Sequence, residues 1–247
     1  MSLWNHRTLV LNPRFAGLRD FMLSLPSRFA AGEGEVIHNG RNQLRRISYE
    51  GTDYVVKRFG RPHVVNRWVY GLLRPSKALR AYRNGLLYLK IGVGTPEPVG
   101  YMNVRRGLAF GESYLVTLRS DCPYRYEDLF SFESNQADKV LREVGRVTAV
   151  LHEHGLAHKD YGRANILFAI DTDGRVRLDI VDLNRMAVGK LDMRAGCKNF
   201  ERLPATAHMH RVLSEAYAAA RGFDAEQCYS LMRHFRSVQP GQVEGEF

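Results

Sequence analysis

Three polar residues near the middle of the chain have types and spacing that suit one chemical task. Asp160 follows His158 by two positions, Asn165 follows Asp160 by five, and Asp182 ends an apolar run further along. A carboxylate can accept a proton from a hydroxyl group, and an amide and a second carboxylate supply the oxygen ligands that Mg²⁺ prefers. This order of a base followed by two metal ligands is what phosphoryl transfer from a nucleotide requires.

Two short apolar runs are predicted to bring these side chains close together. The runs extend from Ile166 to Ile170 and from Leu178 to Val181, and the segment Asp171 to Gly174 between them has the composition of a tight turn. A hairpin built from them places Asn165 at its entrance, close to Asp182 at its exit. The alternative is an ordinary polar loop before a hairpin, in which the acid and the amide make only local backbone hydrogen bonds.

The N-terminal half contains three β-type segments with features of a nucleotide site. Glu35 to His38, Gln43 to Tyr49 and Tyr54 to Lys57 are predicted to form antiparallel strands. The first turn between them, Asn39-Gly40-Arg41-Asn42, contains a glycine that lets backbone amides approach a polyphosphate. Lys57 ends a β-branched run, as does the lysine that pairs with nucleotide phosphates in a kinase. A plain hairpin and an exposed lysine at a strand end are the simpler alternatives.

Helical periodicity predicts most of the remaining elements. Ser76 is placed to cap a helix from Lys77 to Ile91, and a second helix extends from Gln136 to His154, before Gly155. The apolar faces expected for these helices are Leu79, Tyr82, Leu86 and Leu89 for the first and Val140, Val144, Val147 and Leu151 for the second. Shorter helices are predicted at 199–203, 207–220 and 225–235, and residues 1–30 are expected to pack on the N-terminal strands.

Composition and charge limit the compartment and the kind of partner. The 247 residues carry a net charge of +10, which points to an anionic partner. The segment from Tyr54 to Pro96 contains no acidic residue, which is typical either of a solvated basic face or of a surface for anionic lipid headgroups. No nucleic-acid motif accompanies the charge. Three scattered cysteines and the absence of a continuous apolar N-terminal run predict a cytoplasmic protein.

Four stretches of the chain resemble the bacterial lipopolysaccharide kinase family. They are YVVKRFGRP, SKALRAYRNGL with GVGTPEPVGY, LHEHGLAHKDYGRANILF and VDLNRM, and the similarity extends over about Gly34 to Leu203. The resemblance implies the bilobal α+β fold of protein kinases, with an N-lobe of antiparallel β-sheet plus helix and a mainly helical C-lobe. The predicted domains are residues 1–119, which include an N-terminal segment, and residues 120–247.

The resemblance also implies roles for individual residues and for cofactors. Asp160 is expected to be the catalytic base, Asn165 and Asp182 the Mg²⁺ ligands, and Lys57 the residue that pairs with the phosphates of ATP. Asn39, Gly40, Arg41 and Asn42 would form the loop that covers the nucleotide. The implied acceptor is a Kdo or heptose sugar of the anionic lipid A–Kdo glycolipid, which the protein would meet at the cytoplasmic face of the inner membrane.

Two departures from the kinase pattern keep other functions open. The helix predicted from Lys77 has no acidic residue to pair with Lys57. The loop Tyr161-Gly162-Arg163-Ala164 lacks the usual Pro-Gly, and Arg163 could instead contact an anionic group of a substrate. The alternatives are a kinase of free sugars or aminoglycoside-like molecules on the same fold, and a pseudokinase that only binds nucleotide or glycolipid.

Overall fold

The computed structural model describes residues 5–60, 75–106 and 109–237. The chain divides into two compact units, the first made of Met1–Leu87 and Pro96–Arg119 and the second of Tyr88–Thr95 and Ser120–Phe247. The first unit contains an antiparallel sheet and the second is mainly helical, which confirms the predicted α+β class. Part of the acid-free basic stretch, residues 61–74, lies outside the described residues.

A six-stranded antiparallel sheet forms the centre of the first unit. The three strands predicted in its N-terminal part are confirmed, and the third is longer at both ends than predicted. The first strand was not predicted, and its seven residues all pair with those of the fifth strand. The strands are β1 (Asn5–Leu11), β2 (Glu35–Asn39), β3 (Asn42–Tyr49), β4 (Thr52–Phe59), β5 (Pro98–Arg106) and β6 (Ala109–Leu118), in the order β1-β5-β6-β4-β3-β2.

Helix α1 (Arg19–Ala30) packs on one face of this sheet. It follows a 3₁₀ turn at Pro13–Leu18 and buries one side of its surface at helical spacing. Burial of an aliphatic or aromatic side chain of this size contributes about 1.5–3 kcal/mol, so the helix adds substantially to the core of the unit. Its buried side chains are Phe21, Met22, Leu25 and Phe29, which pack against Val56, Met102, Tyr114 and Val116 of the sheet.

Helix α2 (Lys77–Lys90) begins as predicted and ends one residue earlier. The Leu79 amide donates a hydrogen bond of 3.0 Å to Ser76 Oγ, so Ser76 is the cap that the sequence predicts. Gly92 has φ of 76°, a conformation that glycine adopts without steric cost, and it lies just beyond the helix end.

The buried face of α2 differs from the predicted stripe. Tyr82 is buried as expected, but Leu89 is 40% exposed. Small residues determine which face is buried, since a Cβ on Gly85 would lie 2.6 Å from Pro98 Cγ. The helix therefore approaches the start of β5 more closely than a stripe of leucines would allow. The buried positions are Ala78, Ala81, Tyr82, Gly85 and Tyr88.

Four helices account for most of the regular secondary structure in the described residues of the second unit. In the first helix, the predicted apolar face of Val140, Val144, Val147 and Leu151 is buried at all four positions, which confirms the predicted periodicity. Within the described residues, no helix has the length and apolar character that crossing a membrane requires. The helices are α3 (Ser134–Glu153), α4 (Met193–Lys198), α5 (Ala207–Arg221) and α6 (Ala225–Ser237).

Short strands hold the loops of the second unit. β9 (Ile166–Ile170) and β10 (Val176–Ile180) form the predicted antiparallel hairpin, and the short strand β7 (Tyr124–Arg125) extends it along β9. β9 has the predicted bounds, whereas β10 begins two residues earlier and ends one residue earlier than predicted. β8 (Leu156–His158) pairs with β11 (Met186–Val188) in a separate two-stranded ribbon.

The helix predicted at residues 199–203 is wrong. The helical turn in this region is α4, which begins earlier because the Asp192 carboxylate accepts a hydrogen bond of 2.8 Å from the Ala195 amide. Residues 199–203 follow it as turns. Backbone amides of this segment donate to carbonyls three residues earlier, so it forms tight turns in place of an α-helix, and the Asn199 side chain bonds to the loop that contains Asp160.

Candidate active site

The ribbon of β8 and β11 positions the loop that contains Asp160. The Lys159 amide donates a hydrogen bond of 3.0 Å to the Arg185 carbonyl, just before β11. Asp160 Oδ1 lies 2.9 Å from Arg202 Nη1, and Asp160 Oδ2 lies 3.1 Å from Arg185 Nη1. The Asp160 side chain is 22% exposed, so its carboxylate faces solvent between two cationic groups.

His158 connects this loop to the segment that precedes Asp182. Its ring is buried, Nδ1 accepts a hydrogen bond of 3.1 Å from the Asp160 amide, and Nε2 lies 3.1 Å from the Val181 carbonyl. Because the amide donates to Nδ1, the ring proton must be on Nε2, where it is donated to the carbonyl. Burial lowers the pKa of His158, so the ring is neutral near pH 7 and keeps this tautomer.

Asn165 is held by three hydrogen bonds at the start of the β9–β10 hairpin. Its side-chain amide donates to the Asp160 carbonyl over 2.8 Å, and its backbone amide donates to the Gly162 carbonyl over 2.9 Å. Its own carbonyl accepts a hydrogen bond of 2.9 Å from the Val181 amide. The last contact places Asn165 beside the residue before Asp182. The predicted approach of the hairpin entrance to its exit is therefore present in the structure.

Asp182 has an unusual backbone conformation. Its φ is 63°, and within the described residues only one other residue besides the glycines, Glu50, has a positive φ. This region costs a residue with a Cβ about 1–2 kcal/mol, less for Asp or Asn than for most others. The side-chain amide of Asn184, a buried residue, donates a hydrogen bond to the Asp182 carboxylate. A strained residue fixed by its neighbours is typical of a functional site.

A buried chain of hydrogen bonds supports the loop from below. Arg221 Nη1 donates to Tyr217 Oη over 2.9 Å, and the Tyr217 hydroxyl donates its own proton to His152 Nδ1 over 2.8 Å. His152 Nε2 then donates to Asn199 Oδ1 over 3.0 Å. The Asn199 side-chain amide completes the chain by donating to the His158 carbonyl over 2.8 Å.

The burial of His152 agrees with the direction of these hydrogen bonds, in which its Nδ1 accepts and its Nε2 donates. His152 is buried, and burial lowers its pKa to about 4. The ring is therefore neutral over the physiological pH range, which leaves Nδ1 free of a proton to accept the hydrogen bond from the Tyr217 hydroxyl. The side chains linked by these hydrogen bonds come from α3, α5 and the turn after α4, so they join three helical segments to the loop of Asp160.

Lys57 and the predicted covering turn lie in the first unit. Lys57 stands on β4, opposite Leu44 of β3 and Leu115 of β6, and its Nζ is 5.4 Å from the centroid of the Phe59 ring. The predicted strand is present, but it continues two residues beyond Lys57 to Phe59. Because Lys57 belongs to the other compact unit, its role beside Asp160 stays a prediction.

The turn between β2 and β3 is tight and exposed. Gly40 donates a backbone hydrogen bond of 3.2 Å to the Asn42 carbonyl, and Gln43 Nε2 donates to Asn39 Oδ1 over 2.8 Å. Residues 39–41 are exposed. The role of the turn in covering a nucleotide also stays a prediction.

The structure thus brings together Asp160, Asn165 and Asp182, the three predicted residues of the second unit. It adds residues that sequence reasoning missed, namely Arg185 and Arg202 beside the carboxylate and His152, Asn199 and Tyr217 beneath the loop. No local spacing marks these residues, because they meet Asp160 only through tertiary packing. A histidine on the apolar face of α3 is the one signal that the sequence offers for the buried chain.

Comparisons with known proteins identify the fold and the family. No curated protein sequence matches the chain. Among solved structures, that of WaaP in complex with acyl carrier protein is similar, with 18% sequence identity and a TM-score of 0.63 over 93% of this chain and 98% of that chain. This similarity confirms the predicted fold. The model of the lipopolysaccharide kinase (Kdo/WaaP) family matches residues 38–229, well over half of the sequence. The chain therefore belongs to the lipopolysaccharide kinase (Kdo/WaaP) family.

Proposed function

We propose that the protein is an ATP- and Mg²⁺-dependent kinase that phosphorylates a sugar hydroxyl, of Kdo or heptose, in the inner core of lipopolysaccharide. Membership of the family supports a lipopolysaccharide acceptor. The observation that carries the proposal is the hydrogen-bonded arrangement of Asp160, Asn165 and the segment ending in Asp182. A base and two oxygen ligands in this order suit phosphoryl transfer.

The side chains at the hairpin fit Mg²⁺. The Asn165 amide nitrogen is engaged by the Asp160 carbonyl, which orients the side chain and leaves its Oδ1 as the atom suited to a metal. Asp182 contributes a carboxylate, and both are the hard oxygen ligands that Mg²⁺ takes. When bound, Mg²⁺ neutralises charge on the phosphates of the nucleotide. Asn165 and Asp182 are therefore the proposed metal ligands.

Asp160 is the proposed general base. The acceptor oxygen forms a bond to the γ-phosphorus of ATP, the bond from this phosphorus to the bridging oxygen breaks, and ADP leaves. Asp160 takes the proton that the acceptor hydroxyl loses, a role worth typically ~10²–10⁴-fold in rate. The hydrogen bonds of His158 and Asn165 to the backbone of Asp160 hold the carboxylate in place for this transfer.

Lys57 and the turn Asn39-Gly40-Arg41-Asn42 are proposed to hold the phosphates of ATP. The position of Lys57 on β4 and the exposure of residues 39–41 in the turn support these roles. The helix α2 has no acidic residue that could orient Lys57. This observation favours the second candidate, a pseudokinase that binds nucleotide or glycolipid without turnover.

The net charge of +10 supports an anionic glycolipid as the acceptor. Kdo carries a carboxylate and lipid A carries phosphates, and basic residues near an anionic bilayer gain about 1 kcal/mol each. The protein is accordingly proposed to work at the cytoplasmic face of the inner membrane, in peripheral contact with it. A soluble acceptor such as a free sugar or an aminoglycoside would not require this charge.

A panel of acceptors tests the proposal. The purified protein is incubated with Mg²⁺, ATP and, in separate reactions, a Kdo-containing glycolipid, a heptose-containing glycolipid and free sugars, and products are weighed by mass spectrometry. One added phosphate on a glycolipid is the expected result. Phosphate on a free sugar alone would point to a small-molecule kinase. Nucleotide binding with no product on any acceptor would support the pseudokinase.

A further inference from the structure

Two arginines flank the carboxylate of the proposed base. Arg202 and Arg185 each place one terminal nitrogen on Asp160, at 2.9 Å and 3.1 Å. Their side chains are 52% and 61% exposed. Over residues 5–60, 75–106 and 109–237, neither guanidinium has a second carboxylate partner. The two cations thus share a single anion at the surface.

The charge at this place is not balanced. One carboxylate and two guanidinium groups leave a local excess of one positive charge, since arginine is always protonated. Each guanidinium has five N–H donors, and the contact with Asp160 engages one of its nitrogen atoms. Exposed ion pairs contribute little net stability, so a second anion can bind the same arginines without a large loss.

We infer that Arg185 and Arg202 bind an oxyanion of the acceptor, a carboxylate or a phosphate group, beside the hydroxyl that Asp160 deprotonates. The inference rests on the proposed function, because it needs Asp160 to be the base. The planar guanidinium fork matches the oxygens of both anions, so it would fix the acceptor as well as attract it. The pair then selects anionic acceptors over neutral ones.

Arg163 provides a matched comparison in the same loop. It is three residues from Asp160, its side chain is 64% exposed, and its Nε lies 3.2 Å from Glu127 Oε2. Glu127 is shared with Arg125, whose Nη1 lies 3.6 Å from Glu127 Oε1, so Arg163 also meets a carboxylate that has two cationic partners. That carboxylate is not the proposed base, and Arg185 and Arg202 are therefore favoured over Arg163 as the contact for an anion beside the reacting hydroxyl.

The test measures acceptor selectivity. The acceptors are the Kdo-containing glycolipid, its carboxyl methyl ester and the glycolipid with the lipid A phosphates removed. The proteins are the wild type, Arg185→Gln, Arg202→Gln and the control Arg163→Gln. Steady-state kinetics give kcat and KM for each pair, and a titration of glycolipid binding without ATP gives a readout that does not depend on turnover.

The expected result is that wild type and Arg163→Gln prefer one anionic acceptor over its neutralised form, by about 10-fold or more through KM, as loss of hydrogen bonds to a charged group implies. Arg185→Gln and Arg202→Gln lose that preference. If the wild type uses the methyl ester poorly, the recognised anion is the carboxylate. If it uses the dephosphorylated glycolipid poorly, the recognised anion is a phosphate.

Two results would overturn the inference. One is a fall in kcat by the same factor for every acceptor, which would show that the arginines only position Asp160. The other is a wild-type protein with no preference between anionic and neutralised forms. If the wild type transfers no phosphate at all, the proposed function fails, and the binding titration alone decides whether the arginines recognise the anion.

Discussion

The two sides of the Asp160 loop differ in how their polar groups are satisfied. Beneath the loop, His152 and His158 are buried and both ring nitrogens of each are hydrogen-bonded. On the outer side, Asp160 meets Arg185 and Arg202, which are more than half exposed. Buried polar groups are costly to leave unpaired, whereas exposed ion pairs exchange partners readily. The buried side therefore fixes the loop, and the outer side is suited to bind and react.

Substitution of Asp182 by glycine should separate structural support from ligand binding most clearly. Glycine adopts φ of 63° without the Cβ penalty, and this gain offsets the hydrogen bond that the buried Asn184 amide loses, so we expect the stability to change by less than about 1 kcal/mol. Loss of the carboxylate ligand should weaken Mg²⁺-dependent ATP binding by about 10-fold or more, since charge-assisted contacts are among the stronger ones. Calorimetric titration with Mg²⁺ and an ATP analogue measures the affinity, and thermal melting measures the stability.

The control is Glu50→Gly. Glu50 also has a positive φ, of 48°, but it lies in an exposed turn of the first unit. The Glu50→Gly variant should likewise lose the steric penalty of a Cβ at positive φ, with no change in nucleotide affinity. Unchanged Mg²⁺-dependent affinity in Asp182→Gly would remove Asp182 from the metal site.

Acid should destabilise the protein through its buried histidines. An unfolded histidine titrates near 6.5, whereas the pKa of His152 and the pKa of His210 are about 4 in the folded chain. Between these values the unfolded chain binds more protons, so the free energy of unfolding falls as pH decreases from about 6.5 to 4. Each of these histidines should account for about 3 kcal/mol over the whole window.

Chemical denaturation at several pH values checks this expectation. His152→Gln should flatten the slope of stability against pH between 6.5 and 4, because it removes one of the groups that gain a proton on unfolding. His154→Gln, at an exposed position, should keep the wild-type slope. Equal slopes in all three proteins would contradict the buried, neutral state of His152.

Loss of the Asn199 side chain should have a smaller effect. Asn199→Ala removes the partner of the His152 ring and the donor to the His158 carbonyl, which we expect to cost about 1–3 kcal/mol. Turnover should fall less than in a variant of Asp160, because the carboxylate itself remains. The control Asn135→Ala is exposed in the first turn of α3 and should change stability by less than about 0.5 kcal/mol. Similar melting of both variants would show that the buried chain does not hold the loop.

Elements that depend on local periodicity could be predicted from the sequence, whereas those that depend on tertiary contacts could not. Strand β9 and the buried face of α3 follow from local periodicity, and both are present as predicted. The segment 199–203 forms tight turns in place of the expected helix, and its Asn199 side chain bonds to the distant His158 carbonyl. The buried face of α2 is displaced because Gly85 packs against Pro98, a contact that lies beyond any local pattern.

The site shows the same division. Asp160 and Asn165 are five residues apart and could be predicted from spacing, and the hairpin placed Asp182 near them. Arg185 and Arg202 lie 25 and 42 residues from Asp160, so only the folded chain reveals them as its neighbours. Long-range partners of this kind depend on packing, which one sequence read by local pattern does not specify.

The most direct test of the account is phosphorylation of the Kdo-containing glycolipid by the wild type and by Asp160→Ala, followed by mass spectrometry. The assignment of Asp160 as the base predicts one added phosphate with the wild type and a rate at least about 100-fold lower with Asp160→Ala, as loss of a general base implies. It also predicts equal melting temperatures, since the Asp160 carboxylate bonds only to exposed arginines among the described residues. Undiminished phosphorylation by Asp160→Ala would contradict the assignment of the base.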